Sequence, residues 1–302
     1  MGSNTVRYLI FFQYFGTKYS GVVKAPETQA VLGVENYLEV AAQKLRPVGN
    51  VKFSISSRTD SGVHAICNSA HLDIERSPDK APFSEDTLVK ALNFHLHPEP
   101  ICIIKAFHVN DDFHARFNAV SRTYLYRVVT GCKHTNLPVF ERNLCWVASE
   151  SHLDIPRIQE AAPFFVGKHD FSGFRSTNNE TPFKSPVKTL QQADITPSTS
   201  LLPNLLQNSN LQYWDFTFKS QSFAYNQVRR MTSALVAVGL GHLTPRHIKL
   251  HLEERTPPVF PGNIIAPSSG LFLKEVEYDE KGKKTDLYPA VQDSVSKALI
   301  CV

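Results

Sequence analysis

Two segments of alternating character enclose one tight turn, and this arrangement limits the possible folds more than any other feature. Residues 51–55 and 70–74 are both apolar at every second position. A period of two is typical of half-buried β-strands. The turn between them contains Gly62, which can adopt a positive φ that other residues rarely adopt. The region therefore predicts two strands connected through a turn.

The turn also carries an arginine and a carboxylate two positions apart, Arg58 and Asp60. The end of a strand holds a side chain firmly, and a neighbouring arginine keeps a carboxylate ionised. Asp60 is therefore a candidate nucleophile or base, with Arg58 as its charge partner. The alternative is structural, because Asp and Ser ahead of Gly commonly hydrogen-bond their own loop. On the chemistry alone, the structural alternative is favoured.

Elsewhere, hydrophobic periodicity predicts an α+β protein with two similar halves. Each half follows the order β-α-β-β-α-β, typical of a split βαβ or ferredoxin-like fold, and the second half has one additional helix. Domains are predicted at 1–112 and 113–290, followed by a tail at 291–302, with a surface insertion at 197–210. The predicted strands are 8–12, 51–55, 70–74, 101–109, 122–129, 187–195, 214–218 and 271–278, and the predicted helices begin near 34, 84, 155, 225 and 244.

Composition excludes several classes of protein. Of 302 residues, 42% are hydrophobic and 20% charged, as in soluble globular proteins. No apolar run approaches the roughly 20 residues of a membrane helix. The net charge is only +4, so a nucleic-acid surface would require clustered cations. The five cysteines are scattered, which argues against a disulfide scaffold. His64, Cys67 and His71 lie close in sequence, but without a fourth ligand we expect no zinc or other metal.

Residues 58–65, R-T-D-S-G-V-H-A, closely resemble the R-T-D-A-G-V-H-A signature of the TruA family of tRNA pseudouridine synthases. Further segments resemble motifs of the same family, in the family's order and over nearly the whole length. The resemblance is greatest to a vertebrate branch of that family. The additional segments are 14–21, 111–117, 122–126, 169–174, 223–239 and 270–273.

The resemblance implies a fold and a reaction. The fold would be two ferredoxin-like halves forming one continuous, mostly antiparallel sheet with a central RNA-binding cleft. The reaction would convert uridine to pseudouridine in tRNA, at a site of the anticodon stem-loop type, or in a tRNA-like stem-loop of another RNA. It breaks the N1–C1′ bond, turns the base and rejoins it through C5. An isomerisation of this kind requires no cofactor.

The resemblance also implies residue roles. Asp60, in the first domain, would be the nucleophile, attacking either C6 of the base or C1′ of the ribose. Tyr124 would stack on the uracil and help to remove the C5 proton. Arg58 and Arg229 would support the active site. The alternatives are a core aromatic for Tyr124 and a surface position for Arg229, and we expect neighbouring Arg230 to lie at the surface.

The target uridine must leave its stack at a cost of a few kcal/mol, which phosphate contacts must offset. Substrate binding is assigned to Tyr124 and His114 together with basic residues, although each of these also suits an ordinary structural or solvated role. Three residues of the family motifs differ here, namely Ser61, Phe15 and Val22, and the last two put substrate identity in doubt. The basic candidates are Lys18, Arg116, Arg122, Lys168, Arg175 and Lys188.

Two other functions remain open at this point. One is a non-catalytic RNA-binding protein that keeps the fold, and the other is a carboxylate-dependent hydrolase acting on nucleosides. RNA is the expected partner and a membrane is not, while both a monomer and a homodimer are compatible with the family. The family branch suggests mitochondria, whereas no presequence is evident ahead of the first strand, which favours the cytoplasm or nucleus.

Overall fold

The computed structural model describes residues 5–149, 151–177, 184–201, 210–260 and 265–279. The tail predicted at 291–302 and most of the insertion predicted at 197–210 lie outside these residues. The fold is mixed α+β. The strands are β1 (Thr5–Tyr14), β2 (Phe53–Ile55), β3 (His64–Glu75), β4 (Ile101–His108), β5 (Ala119–Thr130), β6 (Trp146–Ser149), β7 (Gly167–Asp170), β8 (Val187–Ser198), β9 (Gln212–Ser220) and β10 (Leu271–Tyr278). The helices are α1 (Val34–Gln43), α2 (Glu85–Leu96), α3 (Ile155–Ala161), α4 (Gln227–Gly239) and α5 (Pro245–Glu254).

The described chain separates into two compact units. One runs to Val120 and resumes at Leu273, and the other is Ser121–Phe272. These units differ from the predicted domains at 113–120 and in the last strand, most of which belongs to the first unit. Strand β10 pairs with β3 of that unit, and a buried hydroxyl near its end adds hydrogen bonds there. Tyr278 Oη donates to the Ala115 carbonyl at 2.7 Å and shares a hydrogen bond with Ser69 Oγ at 2.6 Å.

In the first unit, β1 lies between β3 and β4, and β2 also pairs with β3, all antiparallel. Every residue from Tyr8 to Phe12 is buried, which is typical of a central strand covered on both faces. Helices α1 and α2 pack against each other. The Ser84 side chain caps α2, which begins where predicted, by accepting a hydrogen bond from Thr87 N.

In the second unit, the antiparallel order is β5-β9-β8-β7, and β6 pairs in parallel with β5. The mostly antiparallel character predicted from the sequence is therefore confirmed within each unit. Helix α4 is buried along most of its length and packs against α3. Helix α3 ends at Ala161 and continues as a 3-10 turn, because Pro163 cannot donate the next helical hydrogen bond.

Three strands differ most from the predictions. Strands β6 and β7 were not predicted, since four residues are too few to show a periodicity. Strand β3 begins at His64, six residues before the predicted start. The apolar alternation does not reveal these extra residues, because Asn68 and Ser69 are polar yet buried. The fold supplies hydrogen-bond partners for both. Among the residues described, no helix is long and apolar enough to cross a membrane.

Candidate active site

The turn that carries Asp60 connects β2 with β3 and closes on itself through its backbone. Ser56 N donates to the Ser69 carbonyl at 2.8 Å, and Val63 N donates to the Asp60 carbonyl at 3.1 Å. Gly62 has φ 77°, so the positive φ expected at this position is confirmed. These contacts give residues 56–63 a defined path in which Asp60 is half-buried.

A second loop, residues 15–22, holds the turn through close backbone contacts. Gly21 forms an antiparallel bridge with Asp60, and Val22 N donates to the Thr59 carbonyl at 3.1 Å. Gly21 has φ 120°, and a Cβ on it would lie 2.8 Å from Thr59 O. A Cβ on Gly16 would lie 1.9 Å from Val63 O. No side chain fits at either glycine unless the facing backbone shifts.

Buried polar groups lie beneath the turn. Tyr14 Oη and Thr59 Oγ1 share a hydrogen bond of 2.7 Å, and Asn68 Nδ2 donates to the Ser57 carbonyl at 3.0 Å. Burial raises the pKa of Tyr14 to about 12, so its hydroxyl is neutral at physiological pH. No role was predicted for Tyr14 or Asn68, because both lie just outside the strands predicted at 8–12 and 70–74.

Arg58 and Asp60 occupy different environments on the turn. Asp60 is half-buried, whereas Arg58 is exposed and its charge lowers the pKa of Glu35 at the start of α1. Burial nevertheless raises the pKa of Glu35 overall. Its effect is larger than those of the Arg58 charge and of a hydrogen bond from Lys24 N, both of which lower this pKa. The pairing of Arg58 with Asp60 remains a prediction. A half-buried carboxylate on a fixed turn is suited to nucleophilic or general-base chemistry.

Tyr124 lies on β5 directly opposite Phe218 of β9 and is half-buried. Its ring meets the Phe223 ring edge-on, with centroids 5.2 Å apart. Two residues earlier, Arg122 is buried and its Nη1 donates to the Gln221 carbonyl at 2.7 Å. Arg122 therefore fastens the chain after β9, next to the ring that packs on Tyr124.

Arg229 lies in the first turn of α4 and is held by two hydrogen bonds. Its Nε donates to the Ala266 carbonyl at 2.6 Å, and its Nη1 donates to Asn226 Oδ1 at 3.1 Å. Asn226, the N-cap residue of the helix, has a left-handed backbone with φ 58°. The sequence analysis missed Asn226. Asn is the non-glycine residue that tolerates this conformation best, but its position alone did not reveal the role.

The remaining substrate-binding candidates make local contacts. Lys18 Nζ pairs with Glu99 Oε2 at 2.7 Å and lies near the Tyr19 ring. In the 111–118 segment, His114 Nδ1 accepts from Arg116 N at 3.2 Å, and the Arg116 guanidinium lies 5.8 Å from the centre of the exposed Phe117 ring. These contacts fix each side chain, and their part in RNA binding remains a prediction.

Both histidines considered as metal ligands have hydrogen-bond partners in the protein, and the cysteine is buried. His64 Nδ1 accepts from Gly16 N at 3.0 Å, and His71 Nδ1 accepts from Ala115 N at 3.1 Å. Burial lowers the pKa of His71 to about 4, so it is neutral near pH 7. Burial also raises the pKa of the Cys67 thiol to about 12. Within the described ranges, no three His, Cys, Asp or Glu side chains form a group that could hold a metal ion.

Comparison with known proteins matches the chain to the family model of tRNA pseudouridine synthases over residues 10–118 and 161–279. The chain is similar to tRNA pseudouridine synthase-like 1 of Xenopus laevis, with 63% identity over 92% of this chain and 93% of that protein. It is also similar to the Homo sapiens protein of the same name, with 49% identity over 93% of each. The tRNA pseudouridine synthase A of Hyphomonas neptunium is 36% identical over 90% of this chain and 98% of its own. These matches confirm the resemblance seen in the motifs, and the chain belongs to the tRNA pseudouridine synthase family.

Proposed function

We propose that this protein converts uridine to pseudouridine in tRNA, with Asp60 as the nucleophile. The observation that carries the proposal is the turn at 56–63, which holds a half-buried carboxylate against a glycine-containing loop through backbone contacts. The family match over residues 10–118 covers both the turn and the loop. A uridine of the anticodon stem-loop is the substrate site that we propose.

Asp60 forms a covalent bond to the substrate and later releases it, attacking C6 of the base or C1′ of the ribose. During the reaction the N1–C1′ bond breaks and a C5–C1′ bond forms. C5 loses its proton and N1 gains one, so atoms and charge balance without a cofactor. Dividing the exchange into two covalent steps lowers the barrier of each.

Tyr124 and Arg229 serve the same reaction in this proposal. Tyr124 presents an aromatic face for stacking and a hydroxyl that helps to remove the C5 proton by passing its own proton on, with Phe223 holding the ring edge-on. Arg229 is the supporting cation of the active site in this proposal, since a guanidinium favours the ionised form of a carboxylate. Its hydrogen bonds to Ala266 and Asn226 fix the direction in which the guanidinium points.

We also propose the ferredoxin-like description for the units. Its support is the first unit, where the chain order β1-α1-β2-β3-α2-β4 accompanies the sheet order β4-β1-β3-β2. That chain order is the one expected for a split βαβ motif.

The test replaces Asp60 by Asn, which keeps the size of the side chain and removes its charge. We measure release of tritium from C5 of labelled uridine in an unmodified tRNA transcript and in its isolated anticodon stem-loop. Asp60→Asn should lower the rate at least about a thousandfold, as expected for loss of a nucleophile. Binding of the transcript should be nearly unchanged.

The matched control is Asp79→Asn, since Asp79 is an exposed carboxylate of the same unit. It should release tritium at the wild-type rate. Two outcomes contradict the proposal. Wild-type protein that binds the transcript without releasing tritium would be an RNA-binding protein, and appearance of free uracil would indicate a hydrolase.

A further inference from the structure

Phe15 combines an exposed aromatic ring with a fixed position. Its side chain is 47% exposed, at the start of the loop 15–22 that holds the Asp60 turn. Phe15 N donates to the Pro100 carbonyl at 3.1 Å. The ring meets the His64 ring edge-on, with centroids 5.8 Å apart. Single apolar residues are common on protein surfaces, so the surroundings of this ring must decide whether it has a further role.

The residues around Phe15 hold the ring in one place. His64 is buried, and its Nδ1 accepts from Gly16 N at 3.0 Å. Gly16 in turn lies against the backbone of Val63, which leaves no room for a Cβ. Both the backbone that carries the ring and the imidazole that contacts it are therefore fixed before any ligand binds. A preorganised group of this kind loses little conformational entropy on binding.

The ring also lies beside the residue that we propose as the nucleophile. Val63 N donates to the Asp60 carbonyl, and a turn closed in this way brings its first and fourth Cα atoms within about 7 Å. Phe15 contacts His64, the residue that directly follows this turn. A strand of RNA held at Asp60 would therefore pass close to the Phe15 ring.

The charge around Phe15 favours a nucleobase over a phosphate. The loop contains one lysine, Lys18, and its Nζ is already paired with Glu99 Oε2 at 2.7 Å. The phenyl ring itself offers an apolar face and no hydrogen-bond donor. Such a face binds another flat aromatic group by stacking, and every nucleobase has such a face.

We infer that Phe15 stacks on the base of a nucleotide adjoining the target uridine. The inference rests on the proposed function and deepens it, because it names a further contact with the same RNA strand. Stacking holds the neighbouring base in place while the uridine leaves the stack. Phe15 is one of the residues at which the chain differs from the family motif, so the resulting base preference belongs to this chain's own sequence.

The first test measures the affinity for an unmodified tRNA transcript, which requires no turnover. Phe15→Ala removes the stacking ring and should weaken binding about tenfold. Phe15→Leu keeps an apolar contact with His64 but has no flat face, so it should weaken binding by a similar factor. Phe15→Trp has a larger face and should bind at least as tightly as wild type. Urea unfolding checks that each variant is folded, and Phe15→Leu decides the matter if Phe15→Ala is not.

The matched control is Phe94→Ala. Phe94 of α2 is 77% exposed and also meets a histidine edge-on, because its ring centroid lies 5.2 Å from that of His95. This variant should keep the wild-type affinity. Unchanged affinity for the folded Phe15 variants, or an equal loss for Phe94→Ala, overturns the inference.

The second test identifies the base. Chemical mapping locates the pseudouridine in the reacted transcript, and each neighbouring nucleotide is then replaced by an abasic one. At one of these positions wild type should lose about tenfold in kcat/KM. Phe15→Leu, already about tenfold slower on intact RNA, should lose no more. Losses that instead multiply to about a hundredfold would show that Phe15 and the neighbouring bases act independently, and this result also overturns the inference.

The two tests separate this inference from the proposed function. Wild-type protein that loses affinity on Phe15→Ala substitution but forms no pseudouridine would contradict the reaction and leave the stacking contact supported. Tritium release by wild type, with the same affinity and kcat/KM for Phe15→Leu, would contradict the stacking contact alone.

Discussion

In the first unit, backbone contacts hold the turn that carries Asp60, whereas in the second unit side-chain hydrogen bonds hold Arg229. Around Asp60, neighbouring chains approach so closely that a Cβ on Gly16 would meet Val63 O at 1.9 Å. Around Arg229, the amide of Asn226 and the carbonyl of Ala266 accept the guanidinium N–H groups. Close backbone packing therefore fixes Asp60, and we call its surroundings the backbone-fixed region. Side-chain hydrogen bonds fix Arg229, and we call its surroundings the side-chain-fixed region.

This difference affects both how the positions tolerate substitution and how visible they are in a sequence. Close backbone packing has no room for an added atom, so it requires glycine at fixed positions. These glycines form a recognisable sequence motif. A side-chain hydrogen bond leaves only an ordinary polar residue, such as Asn226, among many others. We therefore expect the two regions to fail in different ways when they are altered.

Among the tests of this contrast, the largest expected effect comes from adding one methyl group at the backbone contact. Gly16→Ala places a Cβ against the Val63 carbonyl, and a backbone atom cannot move aside as a flexible side chain can. The substitution should lower the free energy of unfolding by roughly 3 kcal/mol. It should also lower tritium release at least about a hundredfold, since the Asp60 turn must shift. Urea unfolding and the tritium assay measure the two effects.

Gly49→Ala is the control for this substitution, because a Cβ at Gly49 would meet nothing within 4 Å. It should leave both stability and rate close to wild type. If Gly16→Ala kept the wild-type rate, backbone packing would not be what positions Asp60, and the contrast between the two regions would be lost.

The sequence predicted the backbone-fixed region well. Its strand–turn–strand order and the positive φ of Gly62 were predicted from local rules and are present. The contact between Gly16 and Val63 could not be predicted from the residues, because nothing local indicates which of two loops will meet. Buried Asn68 could not be placed either, since the acceptor that satisfies it, Ser57 O, depends on the path of the turn.

In the side-chain-fixed region, only Arg229 itself was predicted. Its partners were missed because Ala266 is 37 residues away and contributes a backbone carbonyl. Arg230 was expected at the surface, but the hydroxyl of Ser176 holds it half-buried. Side-chain networks depend on tertiary contacts that periodicity does not encode.

An intermediate effect is expected at Asn226, where backbone and side chain can be separated. Asn226→Gly relieves the left-handed backbone and removes the amide, while Asn226→Ala removes the amide and keeps the strained φ. Both should lower tritium release about tenfold, or about 1.4 kcal/mol, because Arg229 loses a partner. Only the Ala variant should also lose about 1 kcal/mol of stability. Asn226→Asp keeps the acceptor and should remain within about threefold of the wild-type rate.

Asn143 provides the control, since it is exposed and also left-handed, with φ 63°. Asn143→Ala should reduce stability in urea without reducing the rate. Full activity of Asn226→Gly would show that the amide does not position Arg229. Both regions would then depend on the backbone.

The smallest effect on rate is expected where a side-chain hydrogen bond lies inside the backbone-fixed region. Tyr14→Phe removes the hydroxyl that bonds Thr59 Oγ1, which should cost about 1 kcal/mol of stability at pH 8. The rate should stay within about threefold of wild type, because the glycine contacts still hold the turn. Tyr37→Phe, a half-buried tyrosine of the same unit, is the control and should change stability by less than about 0.5 kcal/mol.

A change of pH sharpens this last prediction. Burial raises the pKa of Tyr14 from 10 to about 12, so the folded state binds the phenolic proton more tightly than the unfolded state. That contribution to stability is complete below pH 10 and is lost as the pH rises from 10 to 12. Tyr14→Phe lacks this titrating group. The free energy of unfolding of wild type should therefore exceed that of the variant by about 1 kcal/mol at pH 8 and by about zero at pH 11. If the difference in free energy of unfolding between wild type and Tyr14→Phe stayed constant between these pH values, the hydroxyl would not be buried. If Tyr14→Phe lost much of the tritium-release rate, side chains would hold Asp60 as they hold Arg229.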